Sequence, residues 1–457
     1  MKTKFYSTVF MLLGCMMMGN AQAQNPECMT NRSNYTEHVK VKNYDAAYAP
    51  WKMVYETCPQ LNRANFLYGE RILKDKIKKS SGAEKDAFIS DILALYDNSM
   101  KYFPAKTKMA DVIIDKVLMK YDNKMIGDDE IYSMLSKAFT EDLANFKNPK
   151  ALYLYFSSLV DLNKAGKKDL QEVFEVYDNV TVKIEDENAK LTEVISKLLP
   201  KEEAGTLTSK EKRRFKAANT NSESFGKIAG SIDSKLGPLA DCGNLIPLYE
   251  KTFEQNKSNV VWVKRAVGLM FNKECTDDPM FQKLFEAQLA LDPSADAYVY
   301  GGTLKMKSGD SKAALADFDK ALSLETDARK KSKIAYKVAV INKRKGSKST
   351  ARRYAQKAID ANSSNGRAYL LIASLYATSA NDCGSTTFEK RAMYWKAADM
   401  ARKAGRVDPS LSSTANKSAN SYSQKAPTKA MIFETGMAGK TVTFSCWAGG
   451  SVKVPSL

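Results

Sequence analysis

Residues 295–326, ADAYVYGGTLKMKSGDSKAALADFDKALSLET, decide how the rest of the chain is read. Apolar and small residues recur at helical spacing on both sides of Ser308-Gly309-Asp310, so the stretch divides into two helices joined by a glycine turn. Gly309, Ala314, Phe318, Ala321 and Leu324 then supply a turn glycine followed by small and large residues where two helices press together. That spacing belongs to a helix-turn-helix repeat of about 34 residues. A hairpin of this size cannot bury its apolar face alone, so copies have to stack on it.

The copies are present. Ala47, Trp51 and Pro59 stand in the register of Ala314, Phe318 and Thr326, and Tyr68-Gly69 follows as the bulky-small pair of a next first helix. Gly346, Ala351, Ala355 and Ala358 mark another copy, 37 residues on from Ala314 to Ala351. A last copy splits between Tyr369, Ile372, Ala373 and Tyr376 and a second helix carrying Ala397, Ala401 and Ala404, with a lengthened turn between them that holds Cys383. Residues 74–85 are expected to form a polar turn, and residues 183–199 and 209–236 two long polar helices. In the tail, Val442, Phe444 and Cys446 alternate with polar residues, which predicts a small hairpin or three-stranded flap on the final repeat.

This spacing resembles the tetratricopeptide repeat (TPR). LYATSANDCGSTTFEKRAMYW at 375–395, with SCWAGG at 445–450, narrows the resemblance to exported Bacteroidetes TPR proteins without an assigned activity. The resemblance implies an envelope or secreted location and brings no catalytic residues. The expected fold is an all-α, TPR-type α-solenoid with a small C-terminal β-hairpin or flap. Its expected divisions are a signal peptide (1–23), N-terminal repeats (24–150), middle repeats with a long polar hairpin (151–257), C-terminal repeats (258–412), a capping helix and linker (413–429) and the β tail (430–457).

Lys2 and Lys4 before an apolar run from Phe5 to Met18, and Ala21-Gln22-Ala23 after it, read as a leader cleaved after Ala23. Leu12-Leu13-Gly14-Cys15 offers a lipidation site as the alternative. No other stretch is expected to span a membrane. With Cys15 set aside, an even set of cysteines remains in an exported chain, and neighbouring repeats favour pairing Cys28 with Cys58, Cys242 with Cys275 and Cys383 with Cys446.

Metal binding fails on spacing, since there is no CxxC and one histidine, His38. That lone histidine has no nucleophile motif beside it, so neither an enzyme nor a cofactor is expected. Hydrophobic residues at 44% and aromatics at 10% exclude a disordered chain, and 70 Lys and Arg against 52 Asp and Glu give a formal charge of +18. That balance favours anionic partners, although lysines also simply solvate long helices. Counting from the repeat positions puts Tyr300, Thr303 and Lys307, then Lys333, Tyr336, Lys337 and Arg344, on the concave face, with Lys333 and Lys337 exposed. Such a basic, tyrosine-bearing strip suits an acidic peptide of an envelope or secreted protein. The alternative is an anionic envelope polysaccharide on the helix around Arg213 and Arg214. Nucleic acid is not expected, because no aromatic residues interleave the basic cluster.

Overall fold

The turns set the architecture. After the first helix of five of the hairpins the chain passes through one left-handed residue, at Gly309 (φ 93°) and Gly346 (φ 77°), and the same place is held by Lys42 (φ 60°), Lys124 (φ 58°) and Glu274 (φ 66°). Each closes with a six-to-one bond typical of a Schellman end, as in Asp310 N donating to the Lys305 carbonyl at 3.0 Å and Asn43 N to the His38 carbonyl at 2.9 Å. The next helix is then capped by Asp310 on Ala313 N or Asn43 on Ala46 N. A non-glycine residue in this conformation is strained. Lys42→Gly is therefore expected to raise stability by about 0.5–1 kcal/mol, read as an increase in the denaturant midpoint.

The computed structural model describes residues 25–457, so the expected leader, its cleavage after Ala23 and the lipidation alternative at Cys15 lie outside the described residues. The chain forms two compact units, one of residues 25–127 with 134–146 and one of residues 128–133 with 147–457. Twenty α-helices and one two-stranded sheet are found among the described residues, an all-α, TPR-type array of helical hairpins with a small β tail.

The first unit is built on α1 (Pro26–Lys40), α2 (Tyr44–Thr57), α3 (Ala64–Lys79), α4 (Gly82–Tyr102) and α5 (Met109–Asp122), with the later part of α6 (Asp128–Glu141). Trp51 fits against α3 because Gly69 has no side chain: a Cβ there would lie 2.4 Å from the indole. Residues 74–85 are not a long polar turn. Only Ser80 and Ser81 separate α3 from α4, because Ile77 continues the buried stripe of α3 and carries the helix to Lys79.

The second unit begins with α7 (Pro149–Lys164), α8 (Leu170–Glu203) and α9 (Ser209–Leu236). Residues 183–199 are not a separate helix. Val173, Val176, Val180, Ile184, Ile195 and Leu198 keep one buried stripe at helical spacing, and nothing breaks the helix before its last turn, where Pro200 sits. The hairpins follow: α10 (Cys242–Asn256), then α11 (Val260–Asn272) with α12 (Pro279–Leu291), α13 (Ala295–Lys307) with α14 (Ser311–Leu324), α15 (Ala328–Arg344) with α16 (Lys348–Ala361), and α17 (Gly366–Ala377) with α18 (Thr387–Val407). Gly302 admits Phe318, whose ring a Cβ would meet at 2.5 Å. Phe318 is fully buried, worth about 1.5–3 kcal/mol, and packs in one core with Ala335, Ala339, Ala351, Tyr354, Ala355 and Ala358.

α19 (Ser412–Lys425) packs on α18, and α20 (Lys429–Glu434) leads into the tail. The apolar Met431-Ile432-Phe433 is helical, so the flap has two strands: β1 (Thr441–Thr443) pairs antiparallel with β2 (Ser451–Lys453), Val442 opposite Val452. Val442, Phe444 and Val454 are buried, and the Lys396 ammonium donates to the Gly449 carbonyl. The cysteines pair as neighbours: Cys28–Cys58, Cys242–Cys275 and Cys383–Cys446, the last tying the tail to the turn before α18.

Candidate functional site

The first helices of the four hairpins, α11, α13, α15 and α17, carry the candidate residues, and their chemistry follows from what lies beside each. Tyr300 is buried: its ring centroid is 4.8 Å from that of Phe271, and it is a rung of the packing rather than a surface contact. Thr303 is buried too, its hydroxyl donating to the Val299 carbonyl at 2.8 Å. Lys337 is half-buried instead of exposed, because its stem lies against those rings. Its ammonium sits 5.7 Å from the Tyr300 centroid, 5.9 Å from that of Phe271 and 3.2 Å from Asp296. Burial works against the charge of Lys337, and Tyr300 with Asp296 more than offsets it, so its pKa stands above the usual lysine value. Tyr336 is half-buried, and burial raises its hydroxyl pKa against the opposing pull of Arg367 and Arg344.

Lys307, Lys333 and Arg344 reach the surface, and each is already paired. Lys307 holds Asp277 at 2.6 Å, Arg344 holds Glu274 at 2.6 Å, and Lys333 holds Glu185. The strip is thus a row of ion pairs rather than a bare basic surface. Sequence reasoning missed the four carboxylates because all of them lie 30 to 148 residues away from their cations. Asp296, in the first turn of α13, carries a local signal, since an acidic residue there complements the helix dipole.

A second feature was not legible at all. α8 runs along these first helices and covers part of their face. Its Asp178 lies 3.7 Å from Arg265 of α11, and its Asn179 accepts from the same guanidinium at 2.9 Å. Farther along, Glu185 meets Lys333 of α15, and the Ser196 hydroxyl bonds that of Ser364 just before α17. Glu203, its last residue, meets Arg406 near the end of α18 at 3.0 Å. α9 returns against the turn 409–411, where Gly226 touches the Ser410 backbone. The first-helix face is therefore covered in part by α8, a helix of the same chain. Lys307 and Arg344, in the last turns of α13 and α15, are paired with neither α8 nor α9.

On α9 the alternative cluster is different in kind. Lys210, Lys212, Arg213, Arg214 and Lys216 are exposed, and none has an ion-pair partner among the described residues. Glu211 between them is engaged elsewhere, closing a capping box with Thr208 and holding Lys201 at 2.7 Å.

His38 lies in the last turn of α1. Among the described residues no group of three or more His, Cys, Asp or Glu is placed to hold a metal ion, and no helix is long and apolar enough to cross a membrane. No family model and no curated protein matches the chain. In structure it is similar to a tetratricopeptide repeat protein from Parabacteroides merdae, at 12% identity and a TM-score of 0.25, over 68% of this chain and 98% of that one. It is similar also to yeast Tom70, at 10% identity and a TM-score of 0.31 over 90% of each chain. Scores this low leave the repeat assignment to rest on the chain's own hairpins, registers and turns.

Proposed function

We propose that this chain is an exported TPR scaffold that docks an acidic segment of an envelope or secreted protein on the part of the first-helix face that α8 leaves open. The observation that carries this reading is the pair of surface cations, Lys307 and Arg344, held in place by Asp277 and Glu274. An exposed pair of this kind is worth about 0–1 kcal/mol, so a carboxylate-bearing partner exchanges for the resident one at small cost. The leader-like start and three disulfides support an oxidising compartment.

A second reading has its own support. The unpaired cations at the start of α9 join the positive end of that helix, a surface suited to an anionic polysaccharide.

The test is crosslinking in the native cell, capture of the chain and repeat binding with the purified protein it recovers. Lys307→Glu with Arg344→Glu is expected to weaken that binding by about tenfold or more with no change in melting temperature, since both pairs are exposed. Unchanged affinity sinks the proposed face. If binding is lost instead in Arg213→Glu with Arg214→Glu, and purified envelope glycan is retained without protein, the second reading holds.

A further inference from the structure

We propose that the cleft between the end of α18 and the start of α19 binds a small hydroxylated organic anion, the chemistry shared by sugar acids and sugar phosphates. Its volume is about 550 Å³, within the range of small-molecule sites, and it opens to solvent. Asp399, Arg402, Gly405 and Arg406 of α18 line one side, with Ser412 and Asn416 of α19 on the other. Gly405 brings the two helices together, since a Cβ there would lie 3.0 Å from that of Ala415. Arg402 and Arg406 stand one turn apart on α18 and so share a face.

Both guanidiniums are tethered without being used up. Arg402 gives Nη1 to Asp399 at 2.8 Å and Nη2 to Ser423 at 2.8 Å, and Arg406 gives Nη1 to Glu203 of α8 at 3.0 Å. These bonds order two long side chains in advance, which lowers what a ligand must spend to fix them. Among the described residues, Nε of both arginines, Nη2 of Arg406, the Asn416 amide and the Ser412 hydroxyl have no hydrogen-bond partner. The lining carries two positive charges against one, and with Glu203 counted the charges balance. Selection therefore rests on the unfilled donors, which suit an oxyanion, because charge-assisted bonds from arginine are roughly twice as strong as neutral ones. A bare ion would leave most of the volume to water. A body the size of a sugar fills more of it and offers hydroxyls to Asn416, Ser412 and the Asp399 carboxylate, whereas an apolar ligand meets no aromatic ring in the lining. The cleft shares no residue with the Lys307 and Arg344 face or with the basic cluster of α9, so this inference stands apart from both functions proposed for them.

The test titrates the full chain by calorimetry with glucuronate, glucose 6-phosphate and glucose at constant ionic strength. At least one of the two anions is expected to bind saturably, with Kd on the order of 1 mM, and glucose about tenfold or more weakly. Whichever anion binds more tightly assigns the head group as carboxylate or phosphate. Arg402→Gln with Arg406→Gln is expected to weaken that anion by about tenfold with no change in melting temperature, because both side chains are half exposed. Asn416→Asp, an isosteric change at an exposed position of α19, is expected to weaken it through like charge and locates the site even if the arginine variant does not fold. Absence of saturable anion binding, equal affinity for glucose, or folded cleft variants that bind the anion as the wild type does overturns the proposal. So does a loss of binding in Arg213→Glu with Arg214→Glu in place of the cleft variants.

Discussion

Replacing Glu187 by alanine is expected to lower the stability of the second unit by about 3–5 kcal/mol, a large share of what a domain of this kind has. Glu187 lies within α8 with its side chain 9% exposed, beside Lys183 at 8%. One carboxylate oxygen takes the Lys183 ammonium at 2.8 Å and the more exposed Lys190 at 2.7 Å. Removing the carboxylate leaves the Lys183 ammonium buried without a counter-ion, and the alternative, losing its proton, also has a cost. The intact pair need not itself be a large gain, so Lys183→Met with Glu187→Leu should recover most of the loss. Denaturant unfolding followed on the second unit checks both variants. A loss below about 1 kcal/mol for Glu187→Ala would show that Lys183 finds another partner.

The same pair carries a pH signature. Burial raises the Glu187 pKa, but Lys183 and Lys190 outweigh it, so the folded-state value lies below the usual glutamate value. The pair's contribution is therefore present above the unfolded carboxylate pKa and is lost as pH falls through the folded one. In the wild type this part of the stability should fade below about pH 4, and in Glu187→Ala that fading should be absent.

Gly226→Ala is the second substitution of large effect, and its sign is the point. Within a helix, glycine to alanine ordinarily gains about 0.8–1 kcal/mol. At Gly226 a Cβ would lie 2.1 Å from the Ser410 carbonyl oxygen and 2.6 Å from its carbonyl carbon, which is backbone and cannot swing aside. α9 would have to lift from the turn 409–411, and a net loss of about 2–4 kcal/mol is expected. Gly230, one turn later in α9, has nothing within 4 Å of its Cβ position, so Gly230→Ala should stabilise by up to about 1 kcal/mol. Thermal unfolding of the two variants side by side is the measurement. Equal shifts would mean that α9 does not seat on this turn.

Much of the repeat was legible because its causes are local. Ala314, Phe318 and Ala321 announce a buried helix face by spacing alone, and Gly309 and Gly346 announce left-handed turns because other residues are strained there. Lys42, Lys124 and Glu274 occupy the same turns and carry no such signal. The candidate site was only half legible. Its cations could be counted along the first helices, but nothing in their spacing says that Asp277, Glu274 and Glu185 stand opposite them, or that Tyr300 turns inward to meet Phe271.

Hairpin periodicity, turn chemistry and the pairing of Cys28 with Cys58 and of Cys242 with Cys275 were determined by sequence alone, since each depends on residues within about one repeat of each other. Only the tertiary structure decided what lies over the first-helix face. α8 reaches Lys333 through Glu185 across 148 residues of chain, and Gly226 differs from Gly230 solely by the backbone that comes to rest on it. Contacts between segments so far apart depend on how whole helices dock, which no local pattern encodes, and those contacts engage Arg265 and Lys333 with α8 while Lys307 and Arg344 pair elsewhere.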